Sequence, residues 1–352
     1  MLMSKLEMVD LLKGCTIPIS EASNPNAMLD RTQSDRFFDL VRDTSNLLRN
    51  IRTMRVDNRK GKIHRLDLGG VVSQGAHTTS CPVESRPTDS ALTYDLVKYG
   101  SFFSFDSDFV KYNVEREQIV QTVMSQFQKR IAVDMERAAV MGDTSIPTGD
   151  NQSGLNNLLG VNDGFIRLLK SCVPSSQVID AAGAGISTEL FFEIQNRIPV
   201  EYMSEMDMYR WVMGPRLRNK WVQQLTARAT GLGDQVILNH GRGLDPLGDS
   251  VFSVNNWPEN LDNGGGETDG TYMVYTPLSN LIYVTGRELT IESERNPRCD
   301  RWDYTLWWDA DFMVENPDMV VLVKNLRLCG TPATGICSAG SQPVNHNPAN
   351  PA

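Results

Sequence analysis

Apolar residues recur at Val120, Val123, Met124, Phe127, Ile131, Met135, Ala138 and Met141, in steps of three and four, with no Pro or Gly among them. That beat predicts one long amphipathic helix. Asn113 suits its N-cap, and Glu115 and Glu117 fall in the first turn, where the helix dipole favours acids. About 28 residues at ~1.5 Å each give a rod of roughly 42 Å. A mean helix has ~11–12 residues, so this one suits a spine that runs the length of a domain. Gly142 fits the left-handed position that closes a helix. A polar stretch, "GDTSIPTGDNQSG", follows before the apolar beat returns at Leu155, Leu158 and Leu159.

Ahead of the spine the pattern is weaker. Ser4 and Glu7 form a capping box for a short helix that ends at Gly14. A second helix is predicted from about Ser34 to Leu48. Together these make a leader too interrupted for its own core. Then "RNIRTMRVDNRKGKIHR" places seven Arg or Lys against one acid, Asp57. Asn58-Arg59-Lys60-Gly61 reads as a turn, and the flanks, with Met54, Val56, Ile63, Leu66 and Leu68, read as two strands of a long hairpin. Such a hairpin is either a solvated surface feature or an arm that crosses an acidic neighbouring subunit.

The middle third is mixed α/β. Ser187 or Thr188 caps "ELFFEIQNRI", "YRWVM" reads as a buried strand, and Pro215 opens "RLRNKWVQQL" at the favoured first helical position. "DNGGGETDG" is a flexible connector. Five strand-like runs follow: "TYMVYT", "NLIYVT", "RELTIESER", "RWDYTLWWDADFMV" and "DMVVLVKNLRL". In the fourth, Trp302, Tyr304, Leu306 and Trp308 take one face. The tail from Gly330, rich in Pro, Ala, Asn and Ser, is predicted to be flexible or laid on a partner.

Composition narrows the function classes. The chain has 352 residues, 40% hydrophobic and 22% charged, and a net charge of −9. That suits a globular core and argues against a dedicated nucleic-acid binder. No apolar run approaches the ~20 residues of a membrane span, and the N-terminus lacks the continuous apolar core of a signal peptide. Six scattered cysteines without a CxxC read as reduced thiols, and four dispersed histidines give little support to a His-based active site. Phosphate-loop, dinucleotide, zinc-protease and nucleophile-elbow motifs are all missing. The acids of "GDTSIPTGDNQSG" do not match calcium-loop spacing, so its side chains are expected to cap their own backbone. The Trp307-Trp308 pair could stack a sugar or base, but core or interface is the better expectation. Asp309 and Asp311 are expected to be solvated or salt-bridged on an exposed strand face.

The acids Glu288, Glu292, Glu294, Asp300, Asp303, Asp309, Asp311, Glu315 and Asp318 crowd the C-terminal strands and complement the basic arm. In a repeated subunit, arm on sheet is a head-to-tail contact that closes into rings or shells. The candidate contact residues are Arg52, Arg55, Arg59, Lys60, Lys62 and Arg65 on the arm, and Glu292, Glu294, Asp309 and Asp311 on the sheet. No cofactor is expected.

The spine ending in "ERAAVMGDTSIPTG" and followed by "SGLNNLLG", the passage "RWVMGPRLRNKW" and the closing "NLIYVTGRELTIESE" with "WWDADFMVENPDMVVLV" resemble the major capsid proteins of tailed phages with the Hong Kong 97-type fold. The likeness is one of order and texture over most of residues 30 to 328. It implies an α+β subunit with an N-terminal arm (1–50), an extended loop (51–98), a peripheral domain (99–160 and 271–328), an axial domain (161–270) and a flexible tail (329–352). It also implies a non-enzymatic shell of pentamers and hexamers around double-stranded DNA held without sequence-specific contacts. Portal, decoration and separate scaffold proteins would be its partners. Some such proteins crosslink a loop Lys to a neighbour's Asn. Lys60, Lys62, Asn296 and Asn316 lie in matching regions but do not align to a crosslinking motif. An encapsulin-like shell with an enzyme cargo, and a soluble enzyme with an inserted lobe, are the alternatives.

Overall fold

A computed structural model describes residues 44–67, 88–106, 118–226, 245–261, 269–286 and 290–328. The predicted Ser4 helix, the Asn113 cap, the Gly-rich connector and the C-terminal tail lie outside these residues. In chain order the helices are α1 (Asn46–Asn50), α2 (Gln118–Met141), α3 (Gly154–Leu159), α4 (Phe165–Cys172), α5 (Thr188–Asn196) and α6 (Pro215–Thr226). The strands are β1 (Arg52–Arg55), β2 (Lys60–Asp67), β3 (Thr88–Asp95), β4 (Val97–Asp106), β5 (Val178–Asp180) and β6 (Tyr209–Met213). They continue with β7 (Val251–Ser253), β8 (Gly270–Pro277), β9 (Leu281–Thr285), β10 (Thr290–Asn296), β11 (Arg301–Val314) and β12 (Val321–Arg327).

The predicted spine is α2, which buries Ile131, Ala132, Met135, Ala138 and Ala139. The first sheet is organised by β11, the longest strand. Its inward residues Tyr304, Leu306, Trp308 and Ala310 are buried, as the alternation predicts. Strands β9 and β10 pair along one edge of β11 and β4 along the other, all antiparallel. The inner face stacks Tyr99 on Trp308 and Phe103 on Tyr304, and Phe103 also meets Phe127 of the spine.

The second sheet has the order β5-β12-β8-β6-β7. It joins strands from two of the ranges that the sequence grouped separately. Strands β8 and β12, assigned with the spine, hydrogen-bond to β6 and β5 of the middle third. The reason is double burial. Trp211, Met213, Met273, Tyr275, Val321 and Val323 face helices α5 and α6, packing with Phe191, Ile194, Leu217 and Trp221. Their neighbours Val212, Val274 and Leu322 face the opposite way, into the core built on α2 and α4. Strands this apolar on both faces belong inside a molecule, between two layers.

The hairpin assignment also needs correction. The turn expected at Asn58–Gly61 does not pair β1 with β2. Strand β1 runs parallel to β9, from Arg52 opposite Ile282 to Arg55 opposite Thr285. The ribbon is β2 with β3, from Lys60 opposite Asp95 to Asp67 opposite Thr88. Met54, Val56, Ile63 and Leu92 cover Tyr94, Leu96, Ile282, Val284 and Met313. Pairing with the wholly buried strand β9 outweighs a local turn signal, and nothing local in the sequence reveals that partner.

Gly142 ends the spine, but not as a left-handed cap. Among the described residues the glycines with positive φ are Gly149, Gly183 and Gly248. Gly142 is instead a site of close backbone approach. A Cβ there would lie 2.4 Å from the Asn162 carbonyl oxygen, and one on Gly164 would lie 2.7 Å from the Gly142 nitrogen. Gly164 N–H donates to the Gly142 carbonyl at 2.9 Å, which seats the start of α4 on the end of α2. The intervening loop caps itself, as predicted: Asp143 Oδ1 accepts from Ser145 N–H and Oγ, and Asp163 Oδ1 from Thr144 N–H and Oγ1. Ser153 caps α3. Gly164→Ala is expected to destabilise by about 1–3 kcal/mol, the usual cost of overpacking. Gly154→Ala, with nothing within 4 Å of the new Cβ, should stay within about 1 kcal/mol of the parent. Thermal unfolding of both variants checks the contrast.

Candidate assembly interface

The basic segment divides into a docked root and an exposed ribbon. Arg52, on β1, donates to Glu315 at 2.9 Å. Arg65, on β2, reaches the Glu315 backbone carbonyl at 3.4 Å. Arg59 clamps the ribbon root: its Nε donates to the Leu96 carbonyl at 3.2 Å while its own carbonyl accepts from Leu96 N–H at 2.8 Å. Lys60 pairs with Asp95 across the ribbon, and His64 with Asp89 at 2.8 Å. Arg55 and Lys62 are exposed. Part of the basic charge is therefore met within the chain. Exposed pairs of this kind contribute little to stability and exchange readily with a partner's groups.

The acidic candidates separate as well. Glu292 and Glu294 are exposed on β10, opposite Thr305 and Asp303 of β11. Asp309 is half-buried, in register with Lys98 of β4, and its backbone carbonyl accepts from Thr285 Oγ1. Asp311 corrects the expectation of an exposed, solvated carboxylate, because it is 9% exposed. Its Oδ1 accepts from Asn162 Nδ2 at 3.0 Å and from Phe312 N–H at 2.8 Å, and its Oδ2 accepts from Asp95 N–H at 2.9 Å. Burial pushes this carboxyl above its ordinary range, against those three hydrogen bonds. Burial, and then the charge of Asp311, pushes the Tyr99 phenol up. Asp311 is thus a tie between the first sheet, the ribbon root and the loop before α4. It cannot meet another subunit from there. Asn316 is likewise buried, holding Asn280 and Asp318, so it is not placed for a crosslink.

Two features escaped the sequence reading. Phe102 is 67% exposed on the outer face of the first sheet, edge-on to Trp307, and Lys98 lies 4.1 Å above the Trp307 ring. Gly100 leaves room for that indole, since a Cβ there would lie 2.6 Å from it. The inward/outward alternation of "FFSF" was the available signal. The second feature is a pin at the base of the leader. Ser45 Oγ donates to Glu136 Oε2 of the spine at 2.6 Å, and Asn256 Nδ2 donates to Glu136 Oε1 at 3.2 Å. Nothing in either local sequence signals this contact, which spans 91 residues.

Among the described residues no group of three or more His, Cys, Asp or Glu could hold a metal ion. No helix there is long and apolar enough to cross a membrane. The arrangement offers charged and aromatic surfaces.

The fold is shared with chains of solved capsid particles. The chain superposes on a chain of the satellite phage P4 procapsid including its size determination (Sid) protein, with a TM-score of 0.65, 16% identity, and 92% of this chain and 98% of that one covered. It superposes on the capsid of a native GTA particle with a TM-score of 0.56, 13% identity, and 80% and 90% covered. No family model matches. In sequence it is 23% identical over 304 residues to the "Putative prophage capsid protein YqbE" of Bacillus subtilis (strain 168), covering 85% of this chain and 93% of that protein. The resemblance to phage capsid proteins read from the sequence is met by both kinds of comparison.

Asp311→Ala would leave the part-buried Asp95 N–H and Asn162 amide without this acceptor, each costing less than the about 1–3 kcal/mol of a fully buried orphan. The raised carboxyl binds its proton more tightly in the folded chain than in the unfolded one. Its contribution is therefore fullest at acid pH and is lost as pH rises through the raised value. The stability gap between parent and Asp311→Ala should narrow over that rise. Urea titrations across a pH series measure it.

Proposed function

We propose that the chain is the major capsid subunit of a tailed phage, with the Hong Kong 97-type arrangement, and that it self-assembles into an icosahedral shell around the genome. The observation that supports this reading most is a fold shared with a phage procapsid chain over nearly the whole chain, carrying two exposed surfaces. One is the ribbon β2–β3, packed at its root and exposed at Lys62 and His64, with Lys60, Lys62 and Arg65 balanced by Asp67, Asp89 and Asp95. The other is the outer face of the first sheet, with Phe102, Trp307, Glu292 and Glu294. In this reading the ribbon of one subunit lies on the outer sheet of the next. Phe102 and Trp307 supply the apolar contact, and the charges set orientation.

The N-terminal arm would cover residues 1 to about 50, anchored by Ser45. The extended loop would cover about 51 to 98, with β2 and β3 within it. The peripheral domain would be α2 with the first sheet, and the axial domain the second sheet with α5 and α6. Pentamers and hexamers, a separate scaffold, a portal and decoration proteins are the partners this reading implies. Assembly in the host cytoplasm, enclosure of double-stranded DNA without sequence-specific contacts, and a role without catalysis also belong to it. An acidic subunit leaves packaged DNA free to depart.

Size-exclusion chromatography with negative-stain electron microscopy tests it, on the chain alone and with any co-expressed scaffold. Shells, tubes or rings of five and six are expected. A monodisperse monomer or dimer at high concentration, with and without scaffold, would sink the reading. Deleting residues 66–89 removes the last two register pairs of β2 and β3 with the residues between them, keeps the packed root, and should abolish closed shells while leaving a folded chain. Glu292→Lys with Glu294→Lys changes two exposed side chains. It should shift unfolding by no more than about 0.5 kcal/mol each yet reduce assembly at low salt, read by light scattering.

A further inference from the structure

Away from the ribbon and the outer sheet, a cavity of about 390 Å³ opens between the end of α2, helix α4, the start of α6 and the segment Asn255–Leu261. That volume lies within the ~300–1,000 Å³ typical of ligand sites. Its apolar lining includes Val140, Met141, Ile166, Trp257 and Tyr272. Arg137, Arg167, Lys170 and Arg216 also line it, against only Asp143 and Glu259. Four cations facing two acids is a local reversal in a chain whose net charge is −9.

The four cationic groups come from three elements, Arg137 from α2, Arg167 and Lys170 from α4, and Arg216 from α6. Each is tethered separately. Arg137 lies 4.0 Å from Asp134, Arg167 3.7 Å from Asp143, and Arg216 3.2 Å from Glu259. Lys170 sits 4.5 Å above the Tyr272 ring. Arg167 and Arg216 remain 47% and 57% exposed, so both can take a second acceptor. The Trp257 indole N–H is already satisfied by the Tyr272 carbonyl at 2.8 Å, which leaves its ring as an apolar wall. A phosphate site would gather donors around one anion. Cations spaced around an apolar floor fit several carboxylates spaced along a chain, with one apolar side chain pointing down between them.

We propose that this cavity is a docking site for an acidic peptide segment of a second protein, anchored by a leucine or aromatic side chain. Its carboxylates pair with Arg167, Lys170 and Arg216, and its anchor enters between Met141 and Trp257. The site involves neither the ribbon nor the outer sheet face, so it stands apart from the assembly contacts proposed above.

The test uses the full chain before assembly and a fluorescein-labelled peptide, Asp-Glu-Phe-Asp-Glu-Leu-Asp, followed by anisotropy. Saturable binding is expected. It should weaken at least ~10-fold in Arg167→Glu with Lys170→Glu, about 1.4 kcal/mol by the affinity relation. A peptide with Ser in place of Phe and Leu should bind as poorly. Arg216→Ala, on a different helix, should weaken it several-fold and serves if the double variant fails to fold. Absence of binding, or equal binding by parent and Arg216→Ala, overturns the proposal. Displacement of the peptide by inorganic phosphate at matched ionic strength also overturns it, in favour of a simple anion site. Assembly is scored separately by light scattering, so failure of the shell reading leaves the binding result interpretable.

Discussion

The rest of the molecule depends on the backbone contact between Gly142 and Gly164. A side chain at either position would collide with main-chain atoms, so the end of the spine can meet the start of α4 only as two glycines. That contact sets where α4 lies, and α4 carries Phe165, Ile166 and Leu169 into the core beneath the second sheet. Asn162, just before it, donates to Asp311 and so ties the joint to β11. A helix that stops on Gly-Asp followed by a placed polar loop is therefore a hinge fixed by sterics and locked by one buried carboxylate.

From that joint the two sheets follow. Strand β11 holds the first, with edges supplied by segments far away in sequence. The second is a shared wall. Its residues alternate between an aromatic cluster under α5 and α6, where Trp211 stacks on Tyr275 at 4.0 Å, and the core around the spine. A wall buried on both sides couples the lobe to the spine rigidly. That suits the shell role proposed above, in which one chain's orientation bears on the next. The surfaces left over are the ribbon, the outer face with Phe102 and Trp307, and the cationic cavity. They are polar, charged or aromatic, the mixture expected of contacts made after folding.

Much of this was legible in the linear chain. The spine, the strand Tyr209–Met213, the Pro215 helix, the Ser187 cap and all five C-terminal strands follow from period, caps and β-branched or aromatic runs, which are local properties. The self-capping of the Asp143 loop was legible for the same reason. The charge contrast between arm and closing strands was legible too, because it is compositional. The sequence by itself also determined the capsid-like order of elements, since that order is written along the chain.

Only the tertiary structure decided the pairings. Nothing near Arg52 says that β1 joins β9, and nothing near Gly270 or Val321 says that β8 and β12 leave the spine's sheet for the lobe's. Such choices are made by whichever partner buries the most apolar surface, and that partner is remote. The same holds for Asp311. On sequence it is one of two alternating acids, but in the fold it faces inward against three donors, because the neighbouring strand and loop arrive from 216 and 149 residues away. It holds equally for Gly142, whose role is set by the approach of Gly164 and not by its own backbone angles. Local chemistry specified the elements. Long-range burial, which no window of sequence contains, specified which of them touch.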